Sequence, residues 1–235
     1  MDGIVKKENI QNISDAIKSK NRYPFKYTTE QMPSAITSIP TCNIESNIDD
    51  LVLKTVVSLC NLNATQVREY GMAGCSNLQS VDLPNATAIR EGAFSGCSAL
   101  TQVILPAVTE LGTEAFRYCT AIEHLIFPSV TEVYRDCFYK CTNLKKIDFN
   151  SQVTFAGSTI FSMCSSLTAL ILRYDGLCPI TNSEAFASAQ SIPLLSGKGY
   201  VYVPYAQLTK YKNDVYWKIF GLSFRAIENY PSTCG

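Results

Sequence analysis

Ala93-Phe94-Ser95-Gly96-Cys97-Ser98-Ala99-Leu100-Thr101-Gln102-Val103-Ile104-Leu105-Pro106 is the stretch from which the rest of the chain can be read. Phe94 and Cys97 stand at i, i+3, on one face of a short helical turn. Val103 and Leu105 then alternate with Gln102 and Ile104 at the period of a β-strand. Pro106 stops that strand, because it has no amide hydrogen to give to a ladder. Beyond it, Thr109-Glu110-Leu111 reads as a second short strand on the other side of one turn of chain.

The pattern recurs in both directions. Cys75, Cys97, Cys119 and Cys141 are each 22 residues apart, and Cys164 follows after 23. Three residues before them sit Met72, Phe94, Phe116, Phe138 and Phe161, and three after come Leu78, Leu100, Ile122, Leu144 and Leu167. Val81, Val103, Leu125, Ile147 and Leu170 form another column, as do Leu83, Leu105, Phe127, Phe149 and Leu172, and Val67, Ile89, Leu111, Val133 and Phe155. One copy cannot close a core, since its apolar columns point at nothing. Copies stacked at the inter-strand spacing of about 4.8 Å bury each column against its equivalents above and below.

The Leu-x-x-Val-x-Leu strand fits the leucine-rich-repeat pattern. The Ala-Phe-x-x-Cys turn and the Leu-Pro strand exit resemble the BspA-like leucine-rich repeats of bacterial surface proteins, across residues 64–172. Departures fall at the ends: Met72 stands for Phe, Asn150 and Arg173 for Pro, and the last coil is a residue longer. The predicted fold is a repeat solenoid, a right-handed leucine-rich-repeat coil of short β-strands and short helical turns. It is expected over residues 42–199, with regular coils over 64–175. The resemblance implies adhesion to host or bacterial macromolecules, proteins above all.

A small helical N-terminal segment is expected over residues 1–41. Ile10, Ile13, Ala16 and Ile17 make one helical stripe, and Met32, Ala35, Ile36 and Ile39 a second, with Thr28 or Thr29 as cap. Ile13-Ser14-Asp15-Ala16-Ile17-Lys18 with Met32-Pro33-Ser34-Ala35-Ile36 resembles a short module near the start of some phage-tail and surface proteins of gut bacteria. Residues 43–63 read as an irregular first coil, with strand material in Leu51-Val52-Leu53 and Val56-Val57-Ser58-Leu59. At the other end Ala185-Phe186 opens a degenerate repeat. A strand-helix cap is expected over 200–235: Tyr200-Val201-Tyr202-Val203-Pro204 remakes the strand and its exit, and 205–220 reads as mostly helical, ending at Gly221.

The 235 residues are 46% hydrophobic and 17% charged, with 20 cations against 20 anions. A neutral surface casts no long-range field for polyanions, so nucleic acid and acidic lipid headgroups are poor partners. No apolar run approaches the length of a membrane span, so no membrane insertion is expected. Met1-Asp2-Gly3-Ile4-Val5-Lys6-Lys7 lacks the apolar region of a signal peptide. Either the native protein carries no secretion signal, or this sequence begins after it.

Ten cysteines invite disulfide, metal and packing readings. As a ladder with one thiol per coil they are expected to be reduced, buried and small, filling the space beneath each Phe. Stacked coils bring equivalent Cα atoms within disulfide range, but thiols at one repeat position share one direction. Cys137 and Cys141 at i, i+4 lack the second local pair of a structural zinc site, so neither metal nor cofactor is expected. His124, the one histidine, has Gln102 and Lys146 beside it one coil away, neither a partner for nucleophilic catalysis. Asp82 and Asp148 lie three coils apart, beyond the span of glycoside hydrolysis. Gly71, Gly74 and Gly96 are turn residues and resemble no phosphate loop. The chain is read as no enzyme.

What remains is surface. The outward strand positions are Ser80 and Asp82, Gln102 and Ile104, His124 and Ile126, Lys146 and Asp148, then Ala169 and Ile171. Ile104, Ile126 and Ile171 form an apolar stripe among polar neighbours. Such a face is rigid and broad enough for recognition, although outward β-branched residues also simply favour strand pairing. Tyr118, Tyr134 and Tyr139 fall on the turn side, and Tyr200, Tyr202, Tyr205, Tyr211 and Tyr216 near the cap. The expected role is binding and adhesion at a bacterial cell surface or outside the cell. A structural or receptor-binding part of a phage particle is the second reading. The pattern sets neither the partner's identity nor an oligomeric state.

Overall fold

The computed structural model describes residues 57–60, 64–186 and 192–230. The predicted N-terminal helices, Leu51-Val52-Leu53, Cys42 and Cys234 lie outside them.

The chain winds into a parallel β-solenoid. Its outer face carries β1 (Ser58–Cys60), β3 (Ser80–Asp82), β5 (Gln102–Ile104), β7 (His124–Phe127), β9 (Lys146–Phe149) and β11 (Ala169–Leu172). Two strands of the cap, β12 (Tyr200–Val203) and β13 (Phe224–Ala226), extend it. The opposite face is one five-stranded sheet of two-residue strands, β2 (Gln66–Val67), β4 (Ala88–Ile89), β6 (Glu110–Leu111), β8 (Glu132–Val133) and β10 (Thr154–Phe155). Register follows the repeat: Val81 lies against Val103, Leu125 against Ile147, and Ile147 against Leu170.

The apolar columns form continuous interior files. The Phe rings at the turn position stack from Phe94 to Phe116 at 5.4 Å, to Phe138 at 5.9 Å, to Phe161 at 5.4 Å and to Phe186 at 5.8 Å. Phe186 thus continues the file into the degenerate repeat. Inward residues are buried along the files, from Val67 and Val81 to Leu170 and Leu172, with Val103 alone among them half-buried.

The turn between the two faces departs from the sequence reading. It is no helix, although Phe94 and Cys97 do share the inner side. In the coil of Phe94, alternate N–H groups bond within the coil: Ala93 to Arg90 at 3.2 Å, Ser95 to Gly92 at 2.9 Å, Cys97 to Phe94 at 3.1 Å. The intervening ones donate to the next coil: Gly92 to Thr113 at 2.8 Å, Phe94 to Ala115 at 2.8 Å, Gly96 to Arg117 at 2.7 Å. A true α-helix is about 10 Å wide and cannot stack every 4.8 Å. Two left-handed residues four apart break it in each coil, such as Gly92 with Gly96 and Glu114 with Tyr118. Gly96 takes that conformation freely, whereas Tyr118, Lys140 and Met163 hold the same place at about 1 kcal/mol or more each.

The cysteine ladder is buried and free, as expected, but it does more than fill space. The thiols of Cys97, Cys119, Cys141 and Cys164 donate to the carbonyls of Met72, Phe94, Phe116 and Phe138, one coil back, at 3.0–3.1 Å. The Phe94 carbonyl therefore accepts from Cys97 N–H in its own coil and from the Cys119 thiol in the next. Burial pushes the thiols of Cys119, Cys141 and Cys164 up, that of Cys164 to about 12, and a side-chain hydrogen bond with Cys75, then burial, raises that of Cys97, so all four stay protonated and able to donate.

The cap is less helical than expected. It holds a short 3-10 turn (Tyr205–Gln207), α1 (Leu208–Asn213) and a 3-10 segment (Trp217–Ser223) kinked at Gly221, whose φ is 49°. That left-handed glycine turns the chain back into β13, a strand the sequence reading did not assign. Phe224 and Ala226 face inward there, and Val201 pairs with Phe224. Buried Trp217 packs edge-on to Phe155 at 5.7 Å and donates its ring N–H to the Cys178 carbonyl at 2.7 Å. The Tyr211 hydroxyl accepts from Cys178 N–H at 2.9 Å and donates to the Gly176 carbonyl at 3.2 Å.

Candidate binding face

The outward residues of the outer face, which is made of two sheets, β1-β3-β5 and β7-β9-β11-β12-β13, divide into two groups. On β3, β5 and β7 the alternation places them in water. Gln102 and His124 are exposed, Ser80 and Asp82 are half-buried, and Ile104 and Ile126 are 54% and 53% exposed. Ser80 donates its hydroxyl to Ser58 Oγ one coil back at 2.8 Å. Ile104 and Ile126 lie on consecutive coils at one repeat position, in a surround of Gln102, Asp82 and His124.

On β9 and β11 the expectation fails. Asp148, Ala169 and Ile171 were read as outward and solvated, yet Asp148 is 4% exposed and Ile171 0%. The chain after β13 folds back over them. Ile227 and Tyr230 pack with Tyr200 and Tyr202 against Ala169 and Ile171, forming a small apolar cluster outside the main core. Tyr230 meets Tyr202 edge-on at 4.7 Å, and Lys146 Nζ lies over the Tyr230 ring at 5.8 Å. Asp148 accepts a two-pronged bond from Arg173, Nε at 2.9 Å and Nη2 at 2.8 Å. The Arg173 that replaces the strand-ending Pro is thus the partner of Asp148. The sequence held a signal for this cover: Tyr200 and Tyr202 alternate on the outward side of β12 and need a neighbour.

His124 sits at the boundary. Burial, and then Lys146 opposite it in register, push its pKa below the ordinary histidine value. Glu123 beside it is engaged by Lys145 at 2.8 Å. No nucleophile and orienting acid surround this imidazole among the described residues.

Two further surface features were not assigned from sequence. On the turn edge, Arg117 lies over both Tyr118 and Tyr139, at 5.0 and 4.9 Å, and is paired with Glu114 at 2.7 Å. A shallow polar concavity of about 380 Å³ is lined by Gln66, Arg68, Glu69 and Arg90. Its Arg90 is tied to Glu110 at 3.1 Å and to Gln66 at 3.2 Å. No helix among the described residues is long and apolar enough to cross a membrane.

Among solved structures, the chain is similar to a leucine-rich cell surface protein of Faecalibacterium prausnitzii, at 22% identity and TM-score 0.44 over 57% of this chain and 34% of that one. A leucine-rich repeat protein of Bacteroides ovatus matches at 20% identity and TM-score 0.42, over 62% and 38%. A leucine-rich repeat protein of T. pallidum matches at 18% and 0.37, over 62% and 84%. The chain therefore spans well under half the length of the first two. No curated protein matches it. The BspA type leucine-rich repeat region matches residues 65–193 in six copies. Those copies cover more than half of the sequence and coincide with the coils just described, so the chain belongs to the BspA type leucine-rich repeat family.

Proposed function

We propose that this chain is a non-enzymatic binding module that recognises a protein partner at a bacterial cell surface, through the bare part of its outer face. The observation that carries this reading is the pair Ile104 and Ile126, each more than half exposed at one repeat position on adjacent coils of the outer face. The molecule has the means to cover such residues, and covers Ile171 at the same repeat position. Flanking Ser80, Asp82, Gln102 and His124 supply the polar rim that interfaces place around an apolar centre. Lys146 borders the site from beneath Tyr230. The non-enzymatic reading is supported by the surroundings of His124 and by the engagement of Asp148 with Arg173.

The test is capture of surface proteins on immobilised wild-type chain, beside Ile104→Asp/Ile126→Asp. Both side chains are solvated, so the double variant should fold normally by circular dichroism. Partners retained by wild type and lost by the variant support the reading; equal capture moves the site elsewhere.

A further inference from the structure

Charge is spread unevenly along this electrically neutral chain. Residues 196–230, which form the last strands and the cap, carry five cations, Lys198, Lys210, Lys212, Lys218 and Arg225, against two anions, Asp214 and Glu228. Both anions are turned onto the backbone. Asp214 Oδ1 accepts from the N–H groups of Tyr216 and Trp217 at 2.9 and 3.1 Å, and Glu228 Oε1 accepts from Tyr205 N–H at 3.4 Å. The four lysines are exposed and make no ion pair among the described residues. The cap therefore holds a local excess of positive charge that the balanced composition conceals.

The same stretch carries the densest group of exposed large apolar side chains among the described residues. Val215 is 61% exposed, Tyr216 38%, Ile219 52% and Leu222 91%. Their placement follows from the 3-10 segment, in which residues three apart eclipse one another. Trp217 and Phe220 share the inner side and pack on Phe186, the last ring of the Phe file, at 5.5 and 4.9 Å. Tyr216 and Ile219, also three apart, take a side turned away from that core. Past the kink at Gly221, Leu222 stands out from the turn, and its carbonyl accepts from Arg225 Nη1 at 2.7 Å, which holds the turn in place. The stripe thus forms the terminal surface of the solenoid, with Lys218 inside it and Lys212 just before it.

We propose that this end of the solenoid docks on an anionic phospholipid bilayer, seating Tyr216, Ile219 and Leu222 in the interface without crossing it. Protein interfaces are depleted in lysine, whereas segments that lie on membranes combine lysines with exposed aliphatic and aromatic side chains. A second copy packed on the stripe would set the same unpaired lysines against each other. Each lysine close to an anionic surface strengthens attachment by about fivefold, and the apolar side chains enter the boundary of headgroups and acyl chains by about 5–10 Å. Docked in this way, the stack would hold β7 about 19 Å from β13, four strand spacings along the sheet. The bare half of the outer face then stays clear of the lipid.

Cosedimentation of the full chain with vesicles tests this, with phosphatidylglycerol mixed into phosphatidylcholine in one arm and phosphatidylcholine alone in the other. At about 0.1 M salt the chain should partition about tenfold or more strongly onto the anionic vesicles, and about 0.5 M salt should remove most of that preference. Lys212→Gln/Lys218→Gln should weaken binding by about twentyfold, at about fivefold for each lysine. Ile219→Ser/Leu222→Ser should weaken it by about tenfold, with circular dichroism unchanged because both side chains are solvated. No preference for anionic vesicles would overturn the proposal. Retention that Ile219→Ser/Leu222→Ser leaves intact would also overturn it, since charge alone would then account for adsorption. So would a dimer of the free chain that this variant dissolves, or capture of an acidic protein that this variant loses while vesicles stay unbound.

Discussion

Asp82 and Asp148 occupy the same place in their coils, three coils apart, and so do Ile104 and Ile171, all at one repeat position along the outer face. Asp82 and Ile104 stand at the surface, whereas Asp148 and Ile171 are sealed beneath Arg173, Tyr202 and Tyr230. A repeat fixes which way a side chain points. What lies in front of it is decided elsewhere in the chain, here by the residues that follow β13. The face is therefore a bare half next to a roofed half, and of the isoleucines at this repeat position only those of the bare half stand in water.

The sharpest way to break this contrast is to place a charge at both isoleucine positions. Ile171→Asp buries a carboxylate with no partner and should lower unfolding stability by about 3 kcal/mol or more. Ile104→Asp should change it by less than about 1 kcal/mol. Urea midpoints of the two variants measure the difference, and equal losses would show that the roof is not closed in solution.

The aspartates give a smaller effect of the same sign. Asp148→Ala strips Arg173 of its two-pronged acceptor, but the Arg173 head is 44% exposed and water replaces part of the loss. About 1–2 kcal/mol is expected, against less than about 0.5 for Asp82→Ala. A chemical denaturation series resolves the two. If Asp82→Ala costs as much, the carboxylate on the bare half has a partner that the geometry does not provide.

The solenoid was legible because its signal repeats. Phe94, Phe116, Phe138 and Phe161 at one position of successive coils leave no other arrangement that buries them all, and the rings stack as that demands. The turn was misread because i, i+3 spacing fits a helix and a run of tight turns equally. Only the stacking distance separates them, and it forces Tyr118 and Lys140 into left-handed conformations that nothing in their side chains announces. The cover over Ile171 was misread because it is a long-range fact: Tyr230 reaches a strand 60 residues away in a part of the chain with no repeat.

The finest probe of the boundary is the imidazole that stands on it. Burial and Lys146 hold the His124 pKa below the ordinary value of about 6.5, so the unfolded chain takes up the proton more readily than the folded one. The stability tied to this group is fully present above that ordinary value. It declines as pH falls through the lower folded pKa. Lys146→Gln removes the second cause and leaves the first, so the pKa should move part of the way back up and the loss on acidification should shrink. Proton NMR titration of this single histidine reads both changes. Lys146 packs against the Tyr230 ring, which keeps its charge opposite His124, so Tyr230→Ala, by freeing the lysine to swing into water, should raise the His124 pKa in the same direction by a smaller amount. A titration that Lys146→Gln and Tyr230→Ala both leave unmoved would mean that the roof ends short of β9, with Lys146 belonging to the bare half.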